Sequence, residues 1–229
     1  SKVIHNVINY RRSTTLLIQG VPGMGKSSVV SWISNKYKEN DNIIILRFRN
    51  WEYKDLKCGL LEAISNTLKC EKADIENKIV VLDGFDEIKS VSNRSSLLNS
   101  FLNDILDYEN LKVIITSRFD YLEERDFKNV VNLKPFDIIR ICKFYHIITN
   151  RRLDGSKIKD TSIIGIPVIL YMAIMSNIDI TEETTRPNLY NHIFAEKGGI
   201  FDRFSNKGGG YDGGAHPLRN KENVKIYLK

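Results

Sequence analysis

Nine consecutive residues, Gly20-Val21-Pro22-Gly23-Met24-Gly25-Lys26-Ser27-Ser28, combine three glycines, a lysine and two serines directly after the apolar run Thr15-Leu16-Leu17-Ile18-Gln19. Gly20, Gly25, Lys26 and Ser27 fit the pattern G-x-x-x-x-G-K-[ST]. Glycines let successive backbone N–H groups converge on one anion, and a helix beginning at Lys26 adds its positive end. In that setting Lys26 would reach the β- and γ-phosphates of a nucleotide, and the Ser27 hydroxyl would ligate Mg²⁺. The competing reading is a glycine turn that only opens the helix of Val29, Val30 and Ile33. Context separates the two.

Two further groups supply that context. The apolar run Ile79-Val80-Val81-Leu82 delivers Asp83 to its carboxyl end, where a parallel sheet places its ligands, and there Asp83 can hold magnesium through water. Gly84-Phe85-Asp86-Glu87 follows, with two more acids within one turn. Helix capping accounts for one acid near a helix start, but not for three beside a phosphate loop. Glu87 or Asp86 could orient or deprotonate an attacking water, since phosphoryl transfer needs little beyond positioning and charge neutralisation. The third group is Thr116-Ser117-Arg118, at the end of the apolar run Val113-Ile114-Ile115. A hydroxyl there can position water, and a guanidinium can detect the γ-phosphate charge.

The elements that must carry these groups are legible as an alternation. Short apolar runs at 14–19, 43–48, 79–82, 113–116 and 130–133 are separated by helix-period segments from 26, at 56–69 and at 95–106. Such alternation predicts an α/β fold with a parallel sheet. The runs at 79–82 and 113–115 are apolar at every position, which predicts central strands covered on both faces. From Pro135 the strand signals stop, and Ile138, Ile141, Cys142, Tyr145 and Ile148 recur at helical spacing. Pro167 and Pro187 each stand where a helix could start. The expected organisation is a nucleotide-binding domain at 1–134, a helical domain at 135–197, and a glycine-rich segment at 198–229 that opens a truncated further domain.

Composition bounds the remaining classes. With 229 residues, 42% hydrophobic and 27% charged, the chain is globular in type and long enough for one large core and a smaller one. No apolar run reaches the roughly 20 residues of a membrane span, and no signal peptide opens the chain, which predicts a soluble, cytoplasmic protein. The three cysteines are odd in number, with Cys58 and Cys70 expected on one helix beyond disulfide reach. The four histidines show no metal-ligand spacing, so no zinc site is expected. Net charge is +6, with the signs mixed along the sequence, so nucleic acid is not an expected partner. The chain opens on Ser1 and closes on Lys229 in a helix-like stretch, and is therefore expected to be part of a longer protein.

The combination of "GVPGMGKSS", "IVVLDGFDEI" and "VIITSRF", followed by "GIPVIL" in a helical segment, resembles the NACHT family within the STAND class of P-loop ATPases. The resemblance runs from Thr14 to Phe194. Its most telling part is "DGFDE", with a glycine after the magnesium aspartate and acids two and three positions beyond, where AAA+ relatives usually have the glutamate directly after the aspartate. The family implies a three-layer sandwich with strand order 5-1-4-3-2 and a small helical domain over the nucleotide. It also implies that Gly165-Ile166-Pro167 contacts the adenine side, a role compatible with Pro167 starting a helix. Further implications are an ATP/ADP-controlled switch with slow Mg²⁺-dependent hydrolysis, self-oligomerisation when ATP-bound, and a role in defence or cell-death signalling, antiphage defence for a bacterial source. NACHT proteins also carry a winged-helix domain, a repeat sensor and an effector; none is recognisable here, so such partners would lie outside the chain. An AAA+-like loader or initiator acting on DNA shares the core, but the glycine after Asp83 and the missing basic element argue against it. A small-molecule kinase would need an acceptor site, and none is visible. Guanine specificity would need N-K-x-D, and Asn35-Lys36-Tyr37-Lys38 lacks the aspartate.

Overall fold

The computed structural model describes residues 2–37, 42–51, 56, 58–88, 94–105, 107–119, 121–176, 178 and 180. Pro187, Phe194 and the glycine-rich stretch at 198–229 lie outside the described residues. The chain divides into two compact units, Ser1–Leu133 and Lys134–Lys229.

Unit 1 holds five parallel strands: β1 (Thr14–Gln19), β2 (Ile43–Arg47), β3 (Ile79–Asp83), β4 (Lys112–Ser117) and β5 (Asn129–Asn132). Their order is β2-β3-β4-β1-β5, which is the order 5-1-4-3-2 read from the other edge. Every residue of β1, β3 and β4 is buried, whereas β2 and β5 at the edges are mostly half-buried. That difference explains the sequence pattern: strands covered on both faces gain nothing from alternating polar residues.

Strand alternation divides the apolar residues between two cores. One face presents Leu17, Val80, Leu82, Val113 and Ile115 to the helices α3 (Leu60–Leu68) and α4 (Arg94–Ile105). The other presents Leu16, Ile18, Val81 and Ile114 to α1 (Lys2–Ile8) and α2 (Lys26–Lys36), which contribute Val7, Val30 and Ile33. Truncating a side chain such as Ile115, 0% exposed, to alanine would cost about 2–5 kcal/mol.

Two boundaries differ from the sequence expectation. Helix α3 begins at Leu60 rather than at 56, because Gly59 takes φ 97° and ψ 155° and breaks the preceding turn. Cys58 and Cys70 therefore flank α3 instead of lying on it, and none of the three cysteines forms a disulfide. β2 ends at Arg47, and Phe48 opens a 3₁₀ turn that buries its ring edge-on against Trp51 (5.5 Å) and Phe85 (5.3 Å).

Unit 2 contains α5 (Ile138–Thr149) and α6 (Pro167–Met175), packed through Ile141, Ile158, Ile164, Leu170, Ala173 and Ile174. The Asp137 carboxylate caps α5 by accepting from Arg140 N at 2.8 Å, and Asn150 ends it in the left-handed region. Pro167 is the first residue of α6, where its missing N–H costs no helical bond. Gly165 is required by space: a Cβ there would lie 2.4 Å from Thr161 O and 2.6 Å from Phe136 O. Phe136 N donates to Gly165 O at 2.7 Å and ties the entry of α5 to that of α6. Among the described residues no helix is long and apolar enough to cross a membrane.

Candidate functional site

The glycine loop spans the gap between the end of β1 at Gln19 and the start of α2 at Lys26. Gly23 (φ 78°) and Gly25 (φ 91°) are the two positions whose backbone needs glycine. Gly25 is the residue preceding α2 and offers no side-chain cap, so the helix begins without an internal acceptor for its first N–H groups. Met24 is buried and turns back on Val21, its N–H donating to Val21 O at 3.2 Å. Gly20 is closely packed, a Cβ there meeting Leu133 and Met24 at 3.2 Å. Val21 is half-buried, while Pro22, Gly23 and Ser28 are exposed. The Lys26 ammonium donates to Gly20 O at 2.7 Å and to Val21 O at 3.4 Å, which folds its charge over the loop. Burial lowers the Lys26 pKa from 10.5, a shift opposed most strongly by the Asp86 carboxylate and reinforced by Arg118.

Asp83 is the last residue of β3 and is only 7% exposed. Its Oδ1 accepts from the Thr116 hydroxyl at 2.6 Å and from the Ser27 hydroxyl at 3.4 Å. Thr116 Oγ1 in turn accepts from Gly84 N at 2.8 Å. Strands β3 and β4 pair Leu82 with Ile115, so Asp83 and Thr116 come next on adjacent strands and face α2. The sequence groups from three separate segments therefore meet in one hydrogen-bonded cluster.

The two acids that the sequence leaves interchangeable differ in the fold. Gly84 turns the chain with φ 79°, and Phe85, fully buried, pins the following 3₁₀ turn to the core. Asp86 spends both oxygens on Arg118: Oδ1 accepts from its backbone N–H at 3.1 Å and Oδ2 pairs with Nε at 2.8 Å. The Asp86 side chain is 4% exposed against 48% for Arg118, so the carboxylate is anchored and the guanidinium reaches outward. Glu87 donates its backbone N–H to Gly84 O at 2.8 Å, while its side chain is exposed and makes no hydrogen bond among the described residues. No sequence motif singles out Gln19, whose Oε1 is buried without a partner among the described residues, as is Ser117 Oγ. The two are register neighbours at the ends of β1 and β4. A polar residue closing an apolar strand is the signal that marks them.

These residues fit a magnesium nucleotide. Asp83 and Ser27 are hard oxygen donors held together, suited to a cation that takes one or two protein oxygens and completes its shell with phosphate and water. Among the described residues no cluster of three His, Cys, Asp or Glu could hold a metal unaided, and such a cation needs none. Pro167 lies in the other unit, at the first position of α6.

A parallel five-stranded sheet in this order, with a glycine loop between β1 and α2, is the fold of a P-loop NTPase domain. The family model for the KAP family P-loop domain matches residues 1–93. Among solved structures, AMPPCP-bound DnaA from Aquifex aeolicus is similar at 16% identity and a TM-score of 0.51, over 82% of this chain and 64% of that one. A STAND protein with a tetratricopeptide repeat sensor from Pyrococcus horikoshii matches at 18% identity and a TM-score of 0.49, over 83% of this chain and 31% of that one. Cdc6p from Pyrobaculum aerophilum matches at 14% identity and a TM-score of 0.46, over 76% of this chain and 58% of that one. This chain thus spans less than two thirds of each of these three chains. No curated protein matches the sequence.

Proposed function

We propose that the chain is the nucleotide-binding core of a signalling ATPase of the STAND type, NACHT-like in its "DGFDE" segment, that binds Mg-ATP or Mg-ADP at the glycine loop and hydrolyses ATP slowly. The observation that supports it most is the cluster in which Asp83 takes hydrogen bonds from both Ser27 and Thr116 beside that loop. In this reading Gly20 to Ser28 cradle the phosphates, with Lys26 on the β- and γ-phosphates and Ser27 and Asp83 on Mg²⁺. Bound magnesium would neutralise charge developing on the phosphates. Glu87 holds and deprotonates the attacking water, because its carboxylate is exposed and uncommitted. Arg118 meets the γ-phosphate, and Asp86 holds it in position by taking both its N–H and its guanidinium. Thr116 fixes the Asp83 carboxylate.

The wider role follows the NACHT resemblance. Unit 2 would serve as a helical lid with Pro167 on the adenine side, and nucleotide exchange would control self-oligomerisation in a cytoplasmic defence pathway. Effector and sensor parts would lie outside this chain. Calorimetry with Mg-ATP and Mg-ADP on the folded chain and on Lys26→Ala tests the core of the proposal. Binding by the parent that weakens at least tenfold in the variant supports it; a folded parent that takes up neither nucleotide overturns it.

A further inference from the structure

The amino-terminal edge of the sheet carries a second charged site. Arg11 and Arg12 lie on the connection from α1 to β1, both exposed, and among the described residues neither has an ion-pair partner. With Lys128, which immediately precedes β5, they line a cavity of about 900 Å³. Thr14 and Asn129, the first residues of β1 and β5, are also in its wall, so the cavity lies a full strand from the glycine loop, about 20 Å at the rise of a β-strand. The described lining residues include no carboxylate.

The walls are held by tertiary contacts. Ile4, Val7 and Ile8 of α1 are buried in the core. The Asn129 amide donates to Thr14 Oγ1 and Thr15 O, both at 3.2 Å, which leaves its carbonyl oxygen free to accept. Thr15 Oγ1 receives Lys128 N at 3.0 Å and so fixes the backbone beneath that lysine. The lysine's own ammonium makes only a 3.4 Å contact with Ser13 O. His5 is steadied by a 3.0 Å hydrogen bond between Nδ1 and the Tyr37 hydroxyl.

We propose that this cavity binds a small phosphorylated anion, of sugar-phosphate to nucleotide size, independently of the glycine loop. Its volume lies within the range of small-molecule sites, about 300–1,000 Å³. Guanidinium forks match phosphate oxygens bidentately, and Lys128 adds an ammonium donor beside them. Asn6 and Tyr10, the latter 52% exposed, add an amide and an aromatic face for the rest of the ligand. A nucleic-acid strand is the other polyanion, but strand-binding grooves spread their cations along a track, and here three converge on one hollow.

Hydrogen exchange of the whole chain with sodium pyrophosphate separates the two sites, because the segments they protect do not overlap. Protection at 5–14 and around 128–129 is expected, alongside protection at 20–28. Arg11→Gln/Arg12→Gln should abolish the first and leave the second. In a Lys26→Ala background, calorimetry should show that the same pair of changes weakens pyrophosphate binding by roughly tenfold or more. Protection confined to 20–28, or equal affinities with and without the arginines, overturns the proposal. So does binding of single-stranded oligothymidylate with a steep salt slope and no pyrophosphate protection at 5–14, which would assign the cavity to nucleic acid.

Discussion

The two ends of the same sheet handle charge in opposite ways. At the carboxyl edge, Lys26 and Arg118 stand among Asp83, Asp86 and Glu87; Lys26 is shared between backbone oxygens and the field of these acids, and Arg118 is paired with Asp86. At the amino edge, Arg11, Arg12 and Lys128 stand together with no acid among the described lining residues. Burial is not what separates the two ends, since β1 is covered along its whole length. A mixed cluster can hold a metal, orient a water and redistribute charge during a reaction. A cluster of one sign can only attract, which suits binding without chemistry.

Substitutions in the mixed cluster should have the larger effects. Glu87→Gln should leave ATP bound and slow hydrolysis by about 10²–10⁴, the usual worth of a general base. Parental turnover in that variant, measured in the longest foldable form of the protein, would leave Glu87 as an exposed surface acid and remove the asymmetry. Asp83→Asn should lower Mg²⁺-dependent affinity and turnover together, read by titrating magnesium at fixed ATP.

Next in size is Lys26→Ala, expected to weaken nucleotide binding by roughly tenfold or more through loss of a charge-assisted bond. Asp86→Asn should act on Arg118 rather than on water. It loses the ion pair, costs about 1–3 kcal/mol in thermal unfolding, and slows hydrolysis less than Glu87→Gln does. Equal slowing by the two variants would mean that Asp86 also touches the water.

The smallest effect is a pH dependence. Lys26 has a lowered pKa in the unliganded fold, and a phosphate favours its charged form, so the bound pKa must be higher than the free one. Affinity should therefore be complete below the free Lys26 pKa and decline as pH rises through it, in the alkaline range below 10.5. The unliganded fold binds fewer protons than the unfolded chain in that window, so its own stability should rise there while affinity falls. Calorimetry across alkaline pH reads the first sign and thermal unfolding the second. An affinity flat in pH for the parent but not for Lys26→Ala would reverse the assignment.

Much of this was written in the sequence because it depends on local periodicity. Strands β1, β3 and β4 announced themselves as apolar runs, and the polar residues closing β3 and β4 were legible as site candidates because strand ends meet the carboxyl edge, whereas Gln19 at the end of β1 was not. Gly20, Gly25, Lys26 and Ser27 needed only their spacing. The start of α3 was misjudged because helical periodicity continued through Gly59, whose backbone angles no pattern of side chains reveals. Asp86 and Glu87 are neighbours of the same charge type, and only the burial of Phe85 and the approach of β4 decide which one meets Arg118. The amino-edge cavity was invisible for a stronger reason: Arg12 and Lys128 are far apart in the chain, and the pairing of β1 with β5 sets them against one hollow. Local propensity fixes elements and their ends, whereas the convergence of distant charges is set by strand order, which a long-range packing energy selects and a single local pattern does not encode.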